Sequence, residues 1–406
     1  MSKTSRNGTL DTSFGTQGQL NIDIASGVAQ LLPDGKLLVF GTEELLNHGV
    51  HAYRYLADGQ TDASFGTGGK MYIPFGNTNG ESFYPEMSAL TVDDKIILAN
   101  RINSRRGIHL IQVVRIDQDG EIDTEWGADG KYVIHLPPGT RDSLVGMRPL
   151  NNGKIIVLGN ASQSSTAPEA STFARVNTDG LWDSSFGPEG LVPYPVAAGK
   201  ATAFVALPDG TMFAGDSIGV SRFGPDAKPD PAFGNGGHAP IDLSGPYPNL
   251  RYWNVDQIAV QSDGKLALAG TVSELSAEPG STRIVWFFRL LPNGSSDPGF
   301  NGGVPLLSRV GSTNHAPFGM VIQADGKIVI AGSTYGASRL TLERLNVDGT
   351  RDATFGDNGI VIGPEHPSGQ LLLTQGVALQ PDGKILTTER SFGVEPPRTR
   401  ISRYLA

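Results

Sequence analysis

The sequence predicts an all-β fold, a seven-bladed β-propeller of four-stranded antiparallel blades whose ring is closed by the N-terminal strand. Three observations carry this expectation. An Arg, an Asp eight residues on and an aromatic three residues further are written together seven times. A hairpin turn of the Asp-Gly-Lys kind recurs between them, its Gly position falling at 35, 94, 153, 210, 264, 326 and 383. The seventh copy of the first motif is split, with Arg403 near one end of the chain and Asp11 and Phe14 near the other, so the two ends are expected to meet.

Each repeat of about 58 residues reads as four strands. Before the turn come apolar runs such as 28–32 and 377–380. Asp-Gly between apolar runs is a strong hairpin signal, because Gly supplies the positive φ that the turn requires. After it come Leu37 to Gly41, Ile155 to Gly159 and Ile328 to Gly332, which are short, β-branched and bounded by Gly. A third strand carries the Arg, as in Ala52 to Leu56 or Leu342 to Asn346. Another turn follows in most copies, then the Asp-x-x-aromatic segment, a Gly-rich corner and a fourth strand such as Gln19 to Ile24 or Lys131 to Leu136. No segment has sustained helical periodicity between caps. The chain is expected to be one domain over 1–406, with its last blade made of 371–406 plus 1–24. Pairing one terminal strand with the last blade removes two open sheet edges.

The Arg and Asp invite two readings. Seven cationic pairs could bind something repeated, such as a glycan or an array of carboxylates. The simpler reading is scaffold: Arg reaches across a turn to its own Asp in a bidentate pair, and the aromatic (Phe14, Phe65, Trp126, Phe186, Phe233, Phe300 or Phe355) wedges between adjacent blades. A feature present in every copy is scaffold before it is a site.

Taken together, Ala378 to Ile385 and the Arg-Leu-Asn-x-Asp-Gly-x-x-Asp-x-x-Phe-Gly run from Arg344 to Gly356 resemble the bacterial delta-60 repeat family. The resemblance covers nearly the whole chain. It implies a β-propeller-like fold, and it hands over no activity, cofactor or catalytic residue. The sequence departs from the pattern at Asp94, where Gly is expected, at Pro225-Asp226-Ala227, where the Asp-Gly turn is lost, and at Asn301, where Gly follows the aromatic in the other copies.

Composition narrows the partners. A net charge of −9 argues against nucleic acid or anionic lipid. Cysteine is absent, which removes disulfides, thiolate metal sites and Cys nucleophiles together. The start lacks the apolar core of a secretory signal, and no run approaches the ~18 apolar residues of a spanning helix. Residence is expected to be cytoplasmic by default, or exported without a cleaved signal, and the protein is expected to act as a monomer.

Sites are sought where the repeats disagree. Leu243 to Asn254 places Tyr247, Arg251, Tyr252 and Trp253 in a segment that is plainer elsewhere. Flat apolar faces with polar tips suit a sugar- or protein-binding loop, and equally a cover over an inter-blade seam. Gly76 to Pro85, with Tyr84, is a second such loop. Asn103 to His109 is a small basic cluster, read as a solvated hairpin tip, and Ser162 to Thr172 as a surface loop. The His residues at 48, 51, 109, 135, 238, 315 and 366 form no metal-binding spacing, and no Gly-x-Ser-x-Gly elbow appears. Glu86 and Asp256 lie at equivalent places just before the first strands of their repeats, as candidate carboxylates at a channel mouth. No metal, cofactor or catalytic residue is assigned.

The function expected from this pattern is a non-catalytic interaction propeller that holds a protein or glycan partner on divergent loops of one face. The alternative is a propeller-type hydrolase or lyase acting on a sugar or lactone at the central channel mouth. A further alternative is an exported toxin-like or interbacterial protein.

Overall fold

The computed structural model describes residues 7–43, 49–75, 82–103, 108–137, 139, 141–164, 166–194, 200–275, 281–310, 314–334, 339–363, 371–392 and 398–406. Among them there are twenty-eight strands, two three-residue 3-10 turns and no α-helix. The chain divides into two compact units. One comprises 1–23, 215–221 and 231–406, and the other 24–214 with 222–230.

In the second unit, Ala25–Leu31, Leu37–Thr42, Gly49–Tyr55 and Lys70–Pro74 form one four-stranded antiparallel sheet. Ser82–Leu90, Ile96–Asn103, His109–Ile116 and Lys131–Ile134 form the next. Arg141–Pro149, Ile155–Ser162, Ala170–Val176 and Leu191–Pro193 form a third. These last two are joined by a parallel contact between His109 and Arg141. In the first unit the same plan recurs in Leu250–Val260, Leu266–Leu275, Ser281–Leu290 and Leu306–Ser308, and in His315–Ile322, Ile328–Thr334, Leu340–Leu345 and Ile360–Ile362. The last sheet takes Leu371–Leu379, Ile385–Phe392 and Thr399–Tyr404 from one end of the chain and Gln19–Ile22 from the other. Its closing register runs from Gln19↔Ser402 to Ile22↔Thr399.

The second strand of a repeat is buried on both faces, which explains its unbroken apolar run. Ile96 and Leu98 join a core with Leu38, Phe40 and Val50 of the preceding sheet. Ile97 and Ala99 turn the other way, onto Ile155 and Val157 of the following one. Innermost strands begin earlier than the sequence suggests, at Leu371 in the last repeat. Each carries a register shift, between Pro85 and Met87, Leu144 and Gly146, Val255 and Gln257, Pro317 and Gly319, and Thr374 and Gly376. A bulge breaks alternation, so the residues beyond it escape a period-two reading.

The repeated corner is scaffold. Every Arg meets its own Asp, at distances from 2.6 Å for Arg175–Asp183 and Arg289–Asp297 to 3.0 Å for Arg115–Asp123. The split copy is made whole by Arg403 and Asp11 at 2.9 Å. The expected bidentate geometry is corrected. In Arg54, Arg175, Arg289 and Arg344 the Nε donates to one carboxylate oxygen. The other Asp oxygen accepts from the backbone N–H two residues on, and from the Ser or Thr hydroxyl there in the copies at Asp11, Asp62, Asp183 and Asp352. This is an Asx turn, and it competes with the Arg for the second oxygen.

Nor is the Arg purely local. Nη1 of Arg54, Arg175 and Arg289 donates to a carbonyl in the next repeat, at Gln118, Pro225 and Val347. The guanidinium lies over its own aromatic, 4.3 Å from the Phe186 centroid and 5.0 Å from that of Phe300. The aromatic in turn leaves no room for a side chain on the next repeat's turn glycine: a Cβ on Gly120 would come within 3.1 Å of Phe65, and one on Gly180 within 2.7 Å of Trp126.

The departures from the repeat keep its backbone. Asp94, Ala227 and Asn301 have φ of 59°, 59° and 47°, the left-handed region that glycine occupies in the other copies, save for the extended Gly187 at the position of Asn301. The turn at 224–228 is therefore retained, with the Ala227 N–H bonded to the Gly224 carbonyl at 3.0 Å.

Three outcomes test this account. Deleting residues 1–24 removes the edge strand of the last sheet, and the truncated protein should aggregate or melt far below the full chain in calorimetry. Asp352→Ala leaves the buried Arg344 charge unpaired, and urea unfolding should show a loss of roughly 3–5 kcal/mol. Asp94→Gly relieves strain at an exposed turn and should stabilise by about 0.5–1 kcal/mol in the same assay.

Candidate active site

The Asp-Gly turns all lie at one end of the strands, and the connections that differ between repeats lie at the other. At that second end, the parallel contact of His109 with Arg141 brings two neighbouring sheets together. Strands so joined run about 5 Å apart. A cavity of about 560 Å³ opens there. Its wall includes Arg101 at the end of one second strand, His109 at the start of a third, Arg141 and Asp142 at the start of an innermost strand, and Glu169 and Lys200 on the connections above.

Asp142 is the most constrained of these groups, at 1% exposure. One carboxylate oxygen accepts from the Leu136 N–H at 3.1 Å and lies 3.4 Å from Nδ1 of His135. The other oxygen has no hydrogen-bond partner among the described residues. Burial pushes its pKa up, and the Leu136 N–H and His135 pull it only part of the way back. This is the environment of a carboxylic acid held ready to give or take a proton.

His109 is shifted the opposite way for imidazolium. Burial lowers its pKa, and the charges of Arg141 and Arg101 lower it further. It is a neutral ring at neutral pH, fit to accept a proton. Arg101 is held from behind. Its guanidinium lies 5.6 Å from the ring centroid of Tyr84, its cross-strand partner, and Nη1 is 3.4 Å from the carboxylate of Glu86. Glu86 is the residue displaced by the bulge between Pro85 and Met87, which aims it at Arg101. Lys200 and Glu169 pair at 2.6 Å. The Arg141 side chain has no ion-pair or hydrogen-bond partner among the described residues.

The sequence-predicted residues fare unequally. Tyr84 belongs to this neighbourhood. Tyr247, Arg251, Tyr252 and Trp253 lie in the other compact unit. There the Tyr247 hydroxyl donates to the Pro305 carbonyl at 2.9 Å, Trp253 Nε1 to the Ile241 carbonyl at 3.1 Å, and Arg251 Nη1 to the carbonyls of Pro248 and Leu250. Those tips brace the loop. Tyr252 is thrust out, 85% exposed at a positive φ of 52°. Glu86 and Asp256 are equivalent, as bulged residues within their strands and not before them. Asp256 is engaged by the N–H and hydroxyl of Thr271 at 2.7 and 2.8 Å.

The basic cluster at 103–109 is corrected: His109 lines the cavity, whereas Arg105 and Arg106 lie outside the described residues, as do Gly76 to Glu81, His48 and His366. Sequence reasoning passed over Arg101, Arg141, Asp142, Glu169 and Lys200. Arg141-Asp142 carries the one available signal, a charged pair at the start of an innermost strand in a single repeat.

A family model described as a domain of unknown function (DUF5122) β-propeller matches residues 150–186, 261–300 and 323–355. Each match runs from a hairpin turn to the next corner aromatic. The chain carries β-propeller repeats. It matches no curated protein. Among solved structures it is similar to the polysaccharide lyase Uly1, with 12% identity, a TM-score of 0.51, and coverage of 100% of this chain and 93% of that one. It also resembles an α-L-arabinanase from Penicillium chrysogenum complexed with arabinobiose (12% identity, TM-score 0.44, coverage 98% and 97%). A glucose dehydrogenase is a third (13% identity, TM-score 0.41, coverage 95% and 97%). The expectation of a non-catalytic binding propeller is overturned here, because the similar structure with a TM-score above 0.5 is that of a polysaccharide lyase. Among the described residues no helix is long and apolar enough to cross a membrane.

Asp142 gives a test by linkage. Its raised native pKa means that the folded state holds a proton more tightly than the unfolded state does. The group costs no stability below the ordinary carboxylate range and costs it as pH rises through the native pKa. Asp142→Asn should therefore melt above wild type at pH 7. The gap should close in melts taken below the ordinary Asp range, with His135, Arg101, Arg141 and Lys200 unchanged.

Proposed function

We propose that this protein is a propeller-type hydrolase or lyase that cleaves a sugar chain, with its reaction in the cavity between the sheets of His109 and Arg141. We also propose that its seven repeats form one seven-bladed domain of the delta-60 kind. The observation that carries the enzymatic reading is the pairing of a neutral His109 with a buried, partner-poor Asp142 in one cleft. Two titratable groups pushed apart by their surroundings can serve as base and acid in the same step. The aligned scaffold supports the reading from outside the cleft, because it fixes both groups on strands and not on loops. Sugar cleavage needs no more than such a pair and polar groups for the hydroxyls, and the cavity wall offers the Ser143 hydroxyl together with Arg101 and Lys200.

The test is turnover. The purified protein is incubated with a panel of neutral and acidic polysaccharides while new reducing ends are counted. At least one member should be cleaved, and Asp142→Asn and His109→Ala should each slow that cleavage by roughly a hundredfold to ten-thousandfold. A panel left intact, or variants that cleave as fast as wild type, would overturn the reading.

A further inference from the structure

We infer that the cavity takes a sugar bearing a carboxylate, a uronate unit within a polymer, and that the bond is broken by β-elimination. This rests on the enzymatic reading above and gives it a substrate class. The geometry supplies the argument. Three cations, Arg101, Arg141 and Lys200, line one cavity in a protein whose net charge is −9. Glu86 lies beside Arg101, and Glu169 pairs with Lys200. Arg141 is left over, on the strand position paired with His109. Elsewhere the chain spends Arg with great regularity: each corner Arg has its carboxylate. Arg148, Arg251 and Arg339 lack a carboxylate too, but backbone carbonyls answer them; the Arg141 side chain, set against a His, has neither among the described residues, so its carboxylate is taken to come from outside. A guanidinium fork matches a carboxylate better than any neutral sugar group does.

Placing the carboxylate on Arg141 puts the adjoining ring carbon near His109. Its hydrogen is the one that the carboxylate acidifies, and the cation stabilises the negative charge that develops when it leaves. The step balances without a co-reactant. The His109 ring takes the proton from the carbon next to the carboxylate. The electrons of that bond form a carbon–carbon double bond to the neighbouring ring carbon. The bond from that carbon to the glycosidic oxygen breaks, and the oxygen takes a proton from solvent water. The products are a shortened chain with a free hydroxyl and an unsaturated uronate. The His109 proton passes to the hydroxide left in solvent, which resets the site.

The test has two readouts. Calorimetric titration compares an oligouronate with its neutral counterpart of equal length and with a sulfated oligosaccharide. Cleavage is followed both by reducing ends and by the ultraviolet absorbance of the conjugated product. Preferential uronate binding is expected, weakened on the order of tenfold to hundredfold in Arg141→Ala and partly kept in Arg141→Lys, along with absorbance that rises in step with reducing ends. Circular dichroism confirms that the variants are folded, and should Arg141→Ala fail to fold, Arg141→Lys carries the comparison through its loss of the guanidinium fork. Equal affinity for the neutral chain, preference for the sulfated one, or reducing ends without absorbance would overturn the inference while leaving a sugar-cleaving enzyme in place. If nothing is cleaved, the enzymatic reading fails with it, and the titration alone reports whether the carboxylate site exists.

Discussion

The structure depends on one corner made seven times. An Arg donates to an Asp eight residues later, lies over the aromatic that follows and, in several copies, reaches the turn of the next repeat. None of these contacts is large by itself. An exposed ion pair contributes under about 1 kcal/mol, and a cation over a ring about as much. Their value lies in burial and conjunction. Arg289 and Arg344 are each 2% exposed, so neither charge can relax into water if its Asp is lost. Burial alone pushes the Asp352 carboxyl up, yet the Thr354 hydroxyl and N–H, Lys327 and Arg344 together leave it well below its ordinary range. In Asp62 the Ser64 hydroxyl is the largest influence, and the pKa falls to about 2. The corner is thus an acid-resistant joint, its contribution present above the ordinary carboxylate range and lost only as pH falls toward the native pKa.

That joint is also why so much of the fold was legible. Its constant parts are fixed in sequence: the Arg on a strand, the Asp eight residues on and the aromatic three further, with a hydroxyl two residues after the Asp in four of the copies. Hairpin turns were legible because a positive φ selects Gly, and the two-sided burial of second strands was legible in their unbroken apolar runs. The exceptions are instructive. Ala227 breaks the Asp-Gly signal without breaking the turn, because one methyl in the left-handed region costs on the order of 1–2 kcal/mol and the flanking backbone bonds outweigh it. The innermost strands were under-read because a bulge shifts their register midway. The second oxygen of each Asp was misassigned because the competing donor, a backbone N–H, leaves no mark in the sequence.

The cavity was hardly legible, for a different physical reason. Its groups come from the ends of four strands and two connections, 101 to 200 in the chain, and each occurs once. No spacing ties Arg101 to Asp142. The sequence loops that looked most like binding surfaces were those with aromatics, yet Tyr247 and Trp253 turn their polar tips onto backbone carbonyls. The informative quantity is not residue type but whether a polar atom has a partner, and that exists only once the chain is folded.

The contrast between the two kinds of charge in this molecule then becomes an argument about function. Across the scaffold, Arg and Asp are matched in every copy, down to the pair assembled from opposite ends of the chain. In one cleft the matching stops. Asp142 is buried with one oxygen unanswered among the described residues, Arg141 faces a histidine, and burial, with the charges of Arg141 and Arg101 behind it, holds His109 neutral. Such an arrangement costs stability wherever it occurs. The surrounding strands fix these groups in place, and partner-poor charges held on a rigid frame are how a fold readies a site for a ligand.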